Sequence, residues 1–298
     1  MEWKINLEDV MRSLDEHLRE KFRELIKWYK EIEGPVIVAF SGGVDSSVIL
    51  ATAALALGSD KVIAVTSTSP IHPEEDLEWA KKIASMLNVK HILIRTNELS
   101  DPNFVRNPPE RCYYCKKNLI KQLKNIAKQY NAEAIVEGTN ASDLHEHRPG
   151  FLALKEEGVK SPLAETGITK EEARTIARIL GLPNFNRPSM ACLASRIPYG
   201  EYISPERLRR IALAEKTIKE LVGIRQLRVR DHGYIARIEV GRDERQKLFN
   251  EELMDKIAYE LMKLGYKFVT LDLLGYRSGS LDTLLVKKII PKETKMQQ

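Results

Sequence analysis

The amino-acid sequence predicts an α/β protein with a doubly wound parallel sheet in its larger domain and a smaller α+β domain at its C-terminal end. Over the first two thirds, short apolar runs alternate with amphipathic stretches, and strands that alternate with helices form parallel sheets. After Pro198 the order changes to helix, two strands, helix and strand. We therefore expect two domains, 1–198 and 199–298.

Hydrophobic period and turn residues define the elements of the first domain. Apolar residues recur at helical spacing over 7–31, and Gly34-Pro35 ends this predicted helix. The apolar run 36–40 is typical of a strand buried on both faces. The remaining predicted elements are helix 46–57, strand 61–66, helix 73–87, strand 89–94, helix 116–130 and strand 134–136.

The second domain shows a different pattern. A helix is predicted over 204–222, and a hairpin follows with its turn at His232-Gly233. The hairpin strands cover 225–231 and 234–240. A second helix and a last strand complete the domain, over 243–264 and 267–273.

Composition limits the class of protein. The 298 residues are 43% hydrophobic and carry a net charge of +5, which allows a sizeable core and an anionic partner such as a nucleotide. The first residues do not resemble a signal peptide, and no run of 18 apolar residues occurs. Three cysteines, an odd number, argue against a disulfide framework. We expect a cytoplasmic protein without a membrane segment.

The turn after the first strand has the features of a phosphate-binding loop. It reads Ser41-Gly42-Gly43-Val44-Asp45-Ser46-Ser47 and leads into a predicted helix. Glycines allow close backbone approach, and helix N-termini attract anions. The hydroxyls of Ser41 and Ser46 add donors, whereas Asp45 calls for a cation, which we expect to be Mg²⁺. The loop lacks the Gly-Lys-Ser/Thr ending of a Walker A motif.

The cysteines allow several interpretations. Cys112 and Cys115 form a Cys-x-x-Cys pair immediately before a predicted helix, a position that favours thiolates, and Cys192 lies far along the chain. They could be separate buried thiols, or ligands of zinc together with His145 or His147. They could also bind a 4Fe–4S cluster through three thiolates, leaving one iron open to carry sulfur. Alternatively, Cys192 could donate its own sulfur.

The loop resembles the signature of the PP-loop ATP pyrophosphatases, which have an adenine nucleotide alpha hydrolase-like fold and include GMP and NAD synthetases and tRNA thiolases. The stretch 162–174 resembles the closing helix of that family. The resemblance implies adenylation of a substrate oxygen with release of pyrophosphate. The residues expected to contact ATP are Ser41, Gly42, Gly43, Asp45, Ser46, Ser47, Thr66, Gly138 and Thr139.

A closer resemblance covers both predicted domains. The segments 138–143, 148–150, 191–200, 228–230 and 236–240 are similar to the LarE subfamily, which inserts sulfur into the nickel-pincer nucleotide cofactor of lactate racemase. That subfamily uses either one sacrificed cysteine or a 4Fe–4S cluster on three cysteines. Because this chain has the Cys-x-x-Cys pair and also the single-cysteine position, it resembles the cluster type.

The resemblance implies a substrate and a set of contacts. A carboxylate of pyridinium-3,5-dicarboxylate mononucleotide would attack ATP, and sulfur would then displace AMP. The catalytic residues implied are Asp45, Cys112, Cys115 and Cys192, and those for substrate are Asp143, Arg148, Arg196, Arg228 and Arg230.

Basic and acidic residues near the second domain are interpreted individually. Arg228 and Arg230, two apart on a strand, point to one face and would converge on a phosphate or form salt bridges on an exposed strand. Arg196 would orient substrate or pair with a carboxylate. Glu239 would hold a second metal ion or be an ordinary strand residue. The arginines at 207, 209 and 210 are expected on a solvated helix face.

Three rival functions remain at this point. A tRNA thiolase would share the loop, but the chain lacks doubled Cys-x-x-Cys knuckles, and +5 is modest for an RNA binder. An amide-forming synthetase would not require these cysteines. A nucleotide-sensing scaffold would not require Asp45. The expected partners are a small nucleotide substrate, proteins of the nickel-pincer pathway and further copies of this chain.

Overall fold

The computed structural model of the protein describes residues 3–145, 149–188 and 191–284. They divide into two compact units, one from the described residues of 1–105 and 110–192 and one from those of 106–109 and 193–298. Among the described helices, none combines the length and apolar character needed to cross a bilayer.

The first unit contains a four-stranded parallel sheet. Its strands are β1 (Val36–Ala39), β2 (Val62–Thr68), β3 (Lys90–Arg95) and β4 (Ala134–Val136), in the order β3-β2-β1-β4. Val36 pairs with Val62 on one side and with Ala134 on the other. The strand order reverses between β1 and β4, and ligands of such sheets bind in the crevice at the carboxyl ends of the strands there.

Helices cover both faces of this sheet, which confirms the doubly wound α/β prediction. Alternate residues of β1 enter different cores: Val36 and Val38 pack with most of the helices, whereas Ile37 packs with Leu123 on the opposite face. The helices are α1 (Leu7–Ser13), α2 (Glu16–Lys30), α3 (Val44–Leu57), α4 (Glu74–Met86), α5 (Pro102–Val105), α6 (Arg111–Gln129), α7 (Pro149–Glu156), α8 (Pro162–Glu165) and α9 (Lys170–Ile179).

The single helix predicted over 7–31 is wrong, because α1 and α2 are separate. Leu14 has an extended backbone, and Asp15 caps α2 by accepting a hydrogen bond from the amide of Leu18. An aspartate at this position satisfies an amide that a continuing helix would have bonded internally. Periodicity alone did not reveal the break, since Val10, Leu18 and Phe22 all remain buried.

The second unit has the α+β order predicted from the sequence. Its elements are α10 (Pro205–Val222), β5 (Leu227–His232), β6 (Ile235–Val240), α11 (Glu251–Lys263) and β7 (Phe268–Leu271). β5 and β6 form an antiparallel hairpin, and β7 pairs in parallel with β6. Leu227 and Val229 belong to the unit's apolar core, so the alternate residues Arg228 and Arg230 lie on the other face of the sheet.

Candidate active site

The predicted phosphate loop connects β1 to α3. The Ser46 hydroxyl donates to the Gly43 carbonyl at 3.1 Å and lies 3.1 Å from the Ser41 hydroxyl. Gly43 is the N-cap of α3 and has no side chain to bond the first amides of the helix. Amides left at a helix N-terminus are donors for an anion. The loop therefore has the backbone arrangement that the sequence predicted.

Two glycines allow the close packing around this loop. Gly42 has φ +74°, and a Cβ built on it would lie 2.6 Å from the Asp76 carbonyl oxygen and 2.8 Å from the Ala80 nitrogen. A Cβ on Gly138 would lie 2.7 Å from the Ser46 nitrogen. Gly138 follows β4, so the loop after this strand contacts the start of α3, at the point where the strand order reverses.

Thr66 and Thr139, both expected to contact ATP, form hydrogen bonds within the first unit. Thr66 lies in β2, which pairs with β3 as far as Thr68. Its hydroxyl donates to the Phe40 carbonyl at 2.7 Å. The Thr139 amide donates to the buried Glu137 carboxylate at 2.9 Å.

The turn after β4 holds Asp143 in a buried position. The Asp143 carboxylate accepts a hydrogen bond from the Asn140 amide at 3.2 Å, and Asn140 accepts from the amide of Ser142 at 3.0 Å. These bonds fix the turn next to Gly138. Arg148, predicted to contact substrate, lies outside the described residues, as do His147 and the side chain of His145.

Sequence reasoning missed Asn184, a buried residue that contacts the loop. Its amide nitrogen donates to the Gly42 carbonyl and to the Ser47 hydroxyl, both at 3.0 Å. No motif in the sequence marks this residue, which stands alone between Pro183 and Phe185. Only the fold shows that it lies beside the loop.

The Cys-x-x-Cys pair lies inside α6 and not before a helix as predicted, because α6 begins at Arg111. Cys112 is exposed, and Cys115 and Cys192 are half-buried. Burial raises the pKa of the Cys115 thiol, and the negative charges of Cys192 and Glu98 raise it further. The expected stabilisation of a thiolate is therefore wrong for Cys115.

The three cysteines lie in one unit of the chain, the first. The charges of Cys192 and Cys112 both raise the pKa of the Cys115 thiol. Within the part of the chain that the structure describes, no three His, Cys, Asp or Glu side chains are arranged around a single metal ion. The ligands of a 4Fe–4S cluster bind different irons and need not converge on one point.

A buried cluster of charges occupies the sheet face of the second unit. Arg196 forms a two-point ion pair with Glu215 at 2.8 and 2.9 Å, the alternative that the sequence left open. Two nitrogens of Arg230 donate to a single oxygen of Glu239, at 2.9 and 2.7 Å. Arg228 is 1% exposed, and burial followed by the charge of Arg196 lowers its pKa to about 10. Glu239 also pairs with Arg237, at 3.2 Å, so both glutamates of the cluster are engaged by arginines.

The basic helix α10 is not a solvated face, so that expectation is wrong for Arg207 and Arg210. Both bind the fully buried carboxylate of Asp231, at 2.8 and 2.5 Å. Tyr266 donates a further hydrogen bond to Asp231 at 3.0 Å. Asp231 therefore ties α10 to the end of β5, the strand that carries Arg228.

We expect Asp231→Asn to reduce stability by about 3–5 kcal/mol, because it removes the charge of a fully buried carboxylate that two partly buried guanidinium groups share. Urea denaturation of the full chain, followed by circular dichroism, measures this change. The control is Asp243→Asn, since Asp243 is exposed and pairs with Arg225 at 3.5 Å. Exposed pairs contribute about 0–1 kcal/mol. Equal effects of the two substitutions would contradict the structural role of Asp231.

Comparison with known proteins adds independent information. The model of the NAD synthase family matches residues 4–195. An uncharacterized protein of Synechocystis is 39% identical over 93% of this chain and 100% of its own length. Pyridinium-3,5-bisthiocarboxylic acid mononucleotide synthase of Lactiplantibacillus plantarum is 35% identical, over 91% of this chain and 96% of that protein. A chain of the glutamine-hydrolyzing GMP synthase from Archaeoglobus fulgidus is 30% identical, over 71% of this chain and 71% of its own length.

Proposed function

Because this chain belongs to the NAD synthase family of PP-loop proteins, we propose that it is an ATP-dependent, AMP-forming sulfur transferase. Its substrate is pyridinium-3,5-dicarboxylate mononucleotide, and its product is a thiocarboxylate. The observation that carries the proposal is the glycine loop at the N-terminus of α3. It occurs in a chain that aligns with 96% of a synthase whose name specifies a thiocarboxylic acid product. The three cysteines in the same unit support the sulfur chemistry.

The first half of the reaction is adenylation. A substrate carboxylate oxygen attacks the α-phosphorus of ATP, the bond to pyrophosphate breaks, and an acyl adenylate forms. The amides at the start of α3 and the hydroxyls of Ser41 and Ser46 bind the phosphates that leave. These donors stabilise charge that develops on pyrophosphate in the transition state.

Asp45 is the residue that would hold Mg²⁺. It lies half-buried in the first turn of α3, within the phosphate loop. One carboxylate with phosphate oxygens is a usual ligand set for this ion. A bound Mg²⁺ would neutralise charge on the phosphates. Without the ion, the Asp45 carboxylate would repel the phosphates that the loop binds.

In the second half, sulfur attacks the acyl carbon and AMP leaves. Cys112, Cys115 and Cys192 fit a 4Fe–4S cluster by donor type and by their place in the same unit. Such a cluster would supply sulfide from its open iron. The sacrificial alternative needs only the Cys192 sulfur. In either case the half-buried position of Cys192 limits the access of water to the donor.

The arginine cluster is the proposed site for the substrate phosphate. Arg196 and Arg230 are held by Glu215 and Glu239, and Arg228 lies over the Tyr276 ring at 5.2 Å. The cluster gathers three guanidinium groups, and such groups bind phosphate through charge-assisted hydrogen bonds. Glu239 acts here as the partner of Arg230, and no second metal ion is required for that role.

Replacing Arg228 with alanine should weaken substrate binding by at least about tenfold, because a charge-assisted bond to phosphate contributes about 1.5–3 kcal/mol. Calorimetric titration of the full chain with the pyridinium mononucleotide measures the loss. Arg225→Ala is the control, since Arg225 is 71% exposed. Unchanged affinity in the Arg228 variant would show that the phosphate binds elsewhere.

Exchange of labelled pyrophosphate into ATP tests the adenylation step without depending on sulfur. We expect exchange only when the pyridinium dicarboxylate mononucleotide is present, because the attacking carboxylate comes from it. Exchange that instead depends on added tRNA would overturn the proposal and favour a tRNA thiolase. A chain that supports no exchange with any acceptor would fit a nucleotide sensor.

We also propose that the enzyme works in the cytoplasm as a homo-oligomer and passes its product to proteins of the nickel-pincer pathway. A reducing compartment suits a chain with an odd number of cysteines. The second unit exposes large apolar side chains, among them Tyr234, Phe268 and Leu273. Exposed apolar surface of this kind is typical of contacts between subunits.

A further inference from the structure

The Gly42–Gly43 peptide determines where one amide of the phosphate loop points. In a trans peptide the carbonyl and the following N–H point in opposite directions, and no described peptide bond is cis. The Gly42 carbonyl accepts from the buried Asn184. The Gly43 amide points the other way, towards the exposed Ser41, whose hydroxyl it reaches at 3.3 Å.

Asn184 is well placed to control this peptide. Its side chain is 1% exposed, so water does not compete for its bonds. Its amide nitrogen donates to two groups of the loop, the Gly42 carbonyl and the Ser47 hydroxyl. The nitrogen of the Asn184 side chain, and not its oxygen, must face the loop, because the Gly42 carbonyl can only accept a hydrogen bond.

The segment around Asn184 is itself anchored. Arg174 of α9 donates to the carbonyls of Phe185 and Arg187, at 2.9 and 2.7 Å. These two bonds fix the backbone directly after Asn184. The amide therefore contacts the loop from a rigid support, as a preorganised site requires.

We propose that Asn184 is a positioning residue for nucleotide binding: it holds the Gly42–Gly43 peptide so that the Gly43 amide is directed at the phosphates of ATP. The inference rests on the proposed function insofar as the loop binds those phosphates. Without Asn184, the peptide can rotate and present the Gly42 carbonyl, which repels an anion. The adenosine part of ATP does not depend on this peptide.

Calorimetric titrations of the full chain with ATP, pyrophosphate and adenosine test the inference. For Asn184→Asp we expect affinity for ATP and pyrophosphate to fall at least about tenfold, because a buried donor is lost and an acceptor faces a carbonyl. Adenosine affinity should stay within about twofold. Asn186→Asp is the matched control, since it introduces the same charge two residues away on an exposed side chain.

A second variant, Asn184→Leu, removes the donor without adding charge. It tests the same loss of affinity for ATP and pyrophosphate if Asn184→Asp does not fold. Normal affinity of either folded variant for ATP and pyrophosphate overturns the inference. A parallel loss of adenosine affinity does so too, since a general structural defect would affect all three ligands. If the wild-type chain binds neither ATP nor pyrophosphate, the proposed function itself fails and this inference fails with it.

Discussion

Replacing Gly42 with alanine is expected to abolish adenylation. The new Cβ would overlap the backbone of α4 at Asp76 and Ala80, and backbone atoms of a packed helix cannot move aside. The positive φ costs about 1–2 kcal/mol for alanine, and overpacking adds about 1–3 kcal/mol. A shift of the loop away from the phosphates should lower pyrophosphate exchange at least about 100-fold. Exchange kinetics and urea denaturation of the same preparation measure both effects.

Gly158→Ala separates backbone strain from steric overlap. Gly158 has φ +73°, nearly that of Gly42, but nothing lies within 4 Å of a Cβ placed on it. This control should lose about 1–2 kcal/mol of stability and keep its exchange activity. If Gly42→Ala behaved like the control, the tight contact between the loop and α4 would not be needed for adenylation.

Loss of any one of the three cysteines is expected to stop thiocarboxylate formation while adenylation continues. In the cluster mechanism each thiolate binds a different iron, so Cys112→Ala and Cys115→Ala should be as harmful as Cys192→Ala, each by at least about 100-fold. Iron and sulfide counts on anaerobically purified protein should fall in the same variants. Pyrophosphate exchange should remain within about threefold of wild type, because the phosphate loop is unaltered.

Tyr113→Phe is the control within the same motif. Its hydroxyl donates a hydrogen bond to Glu156 at the surface and is no ligand for iron, so iron, sulfide and thiocarboxylate formation should persist. Full activity of Cys112→Ala and Cys115→Ala, together with loss of sulfur mass from Cys192 after turnover, would refute the cluster and show that the protein donates its own cysteine sulfur.

The regular part of the fold follows from local patterns in the sequence. The apolar run at β1, the glycines after it and the alternation of strands and helices specify the parallel sheet and the phosphate loop. Gly42 was predicted in the loop for its backbone freedom, and Gly138 was expected there from the family resemblance. The structure shows contacts around both that leave no room for a Cβ. These features depend on residues close together in the chain, which is why sequence patterns reveal them.

Contacts between distant residues were not predictable in the same way. Asp231 lies 21 residues from Arg210 along the chain, and Asn184 lies 142 residues from Gly42. In the sequence, a helix whose arginines form buried ion pairs has the same pattern as a helix with a solvated basic face. The packing of the helix is needed to tell the two apart. The raised pKa of Cys115 similarly comes from burial and from Cys192, whereas its place near a helix start predicted the opposite.

Quantifying the products of one reaction tests the central claim most directly. The wild-type chain, ATP, Mg²⁺ and pyridinium-3,5-dicarboxylate mononucleotide are combined anaerobically, and AMP, ADP and thiocarboxylate are measured by mass spectrometry. Equal amounts of AMP and thiocarboxylate, with no ADP, are predicted, because each sulfur transfer uses one adenylate. ADP and phosphate as the products of ATP, or AMP formed without any thiocarboxylate, would contradict the proposed function.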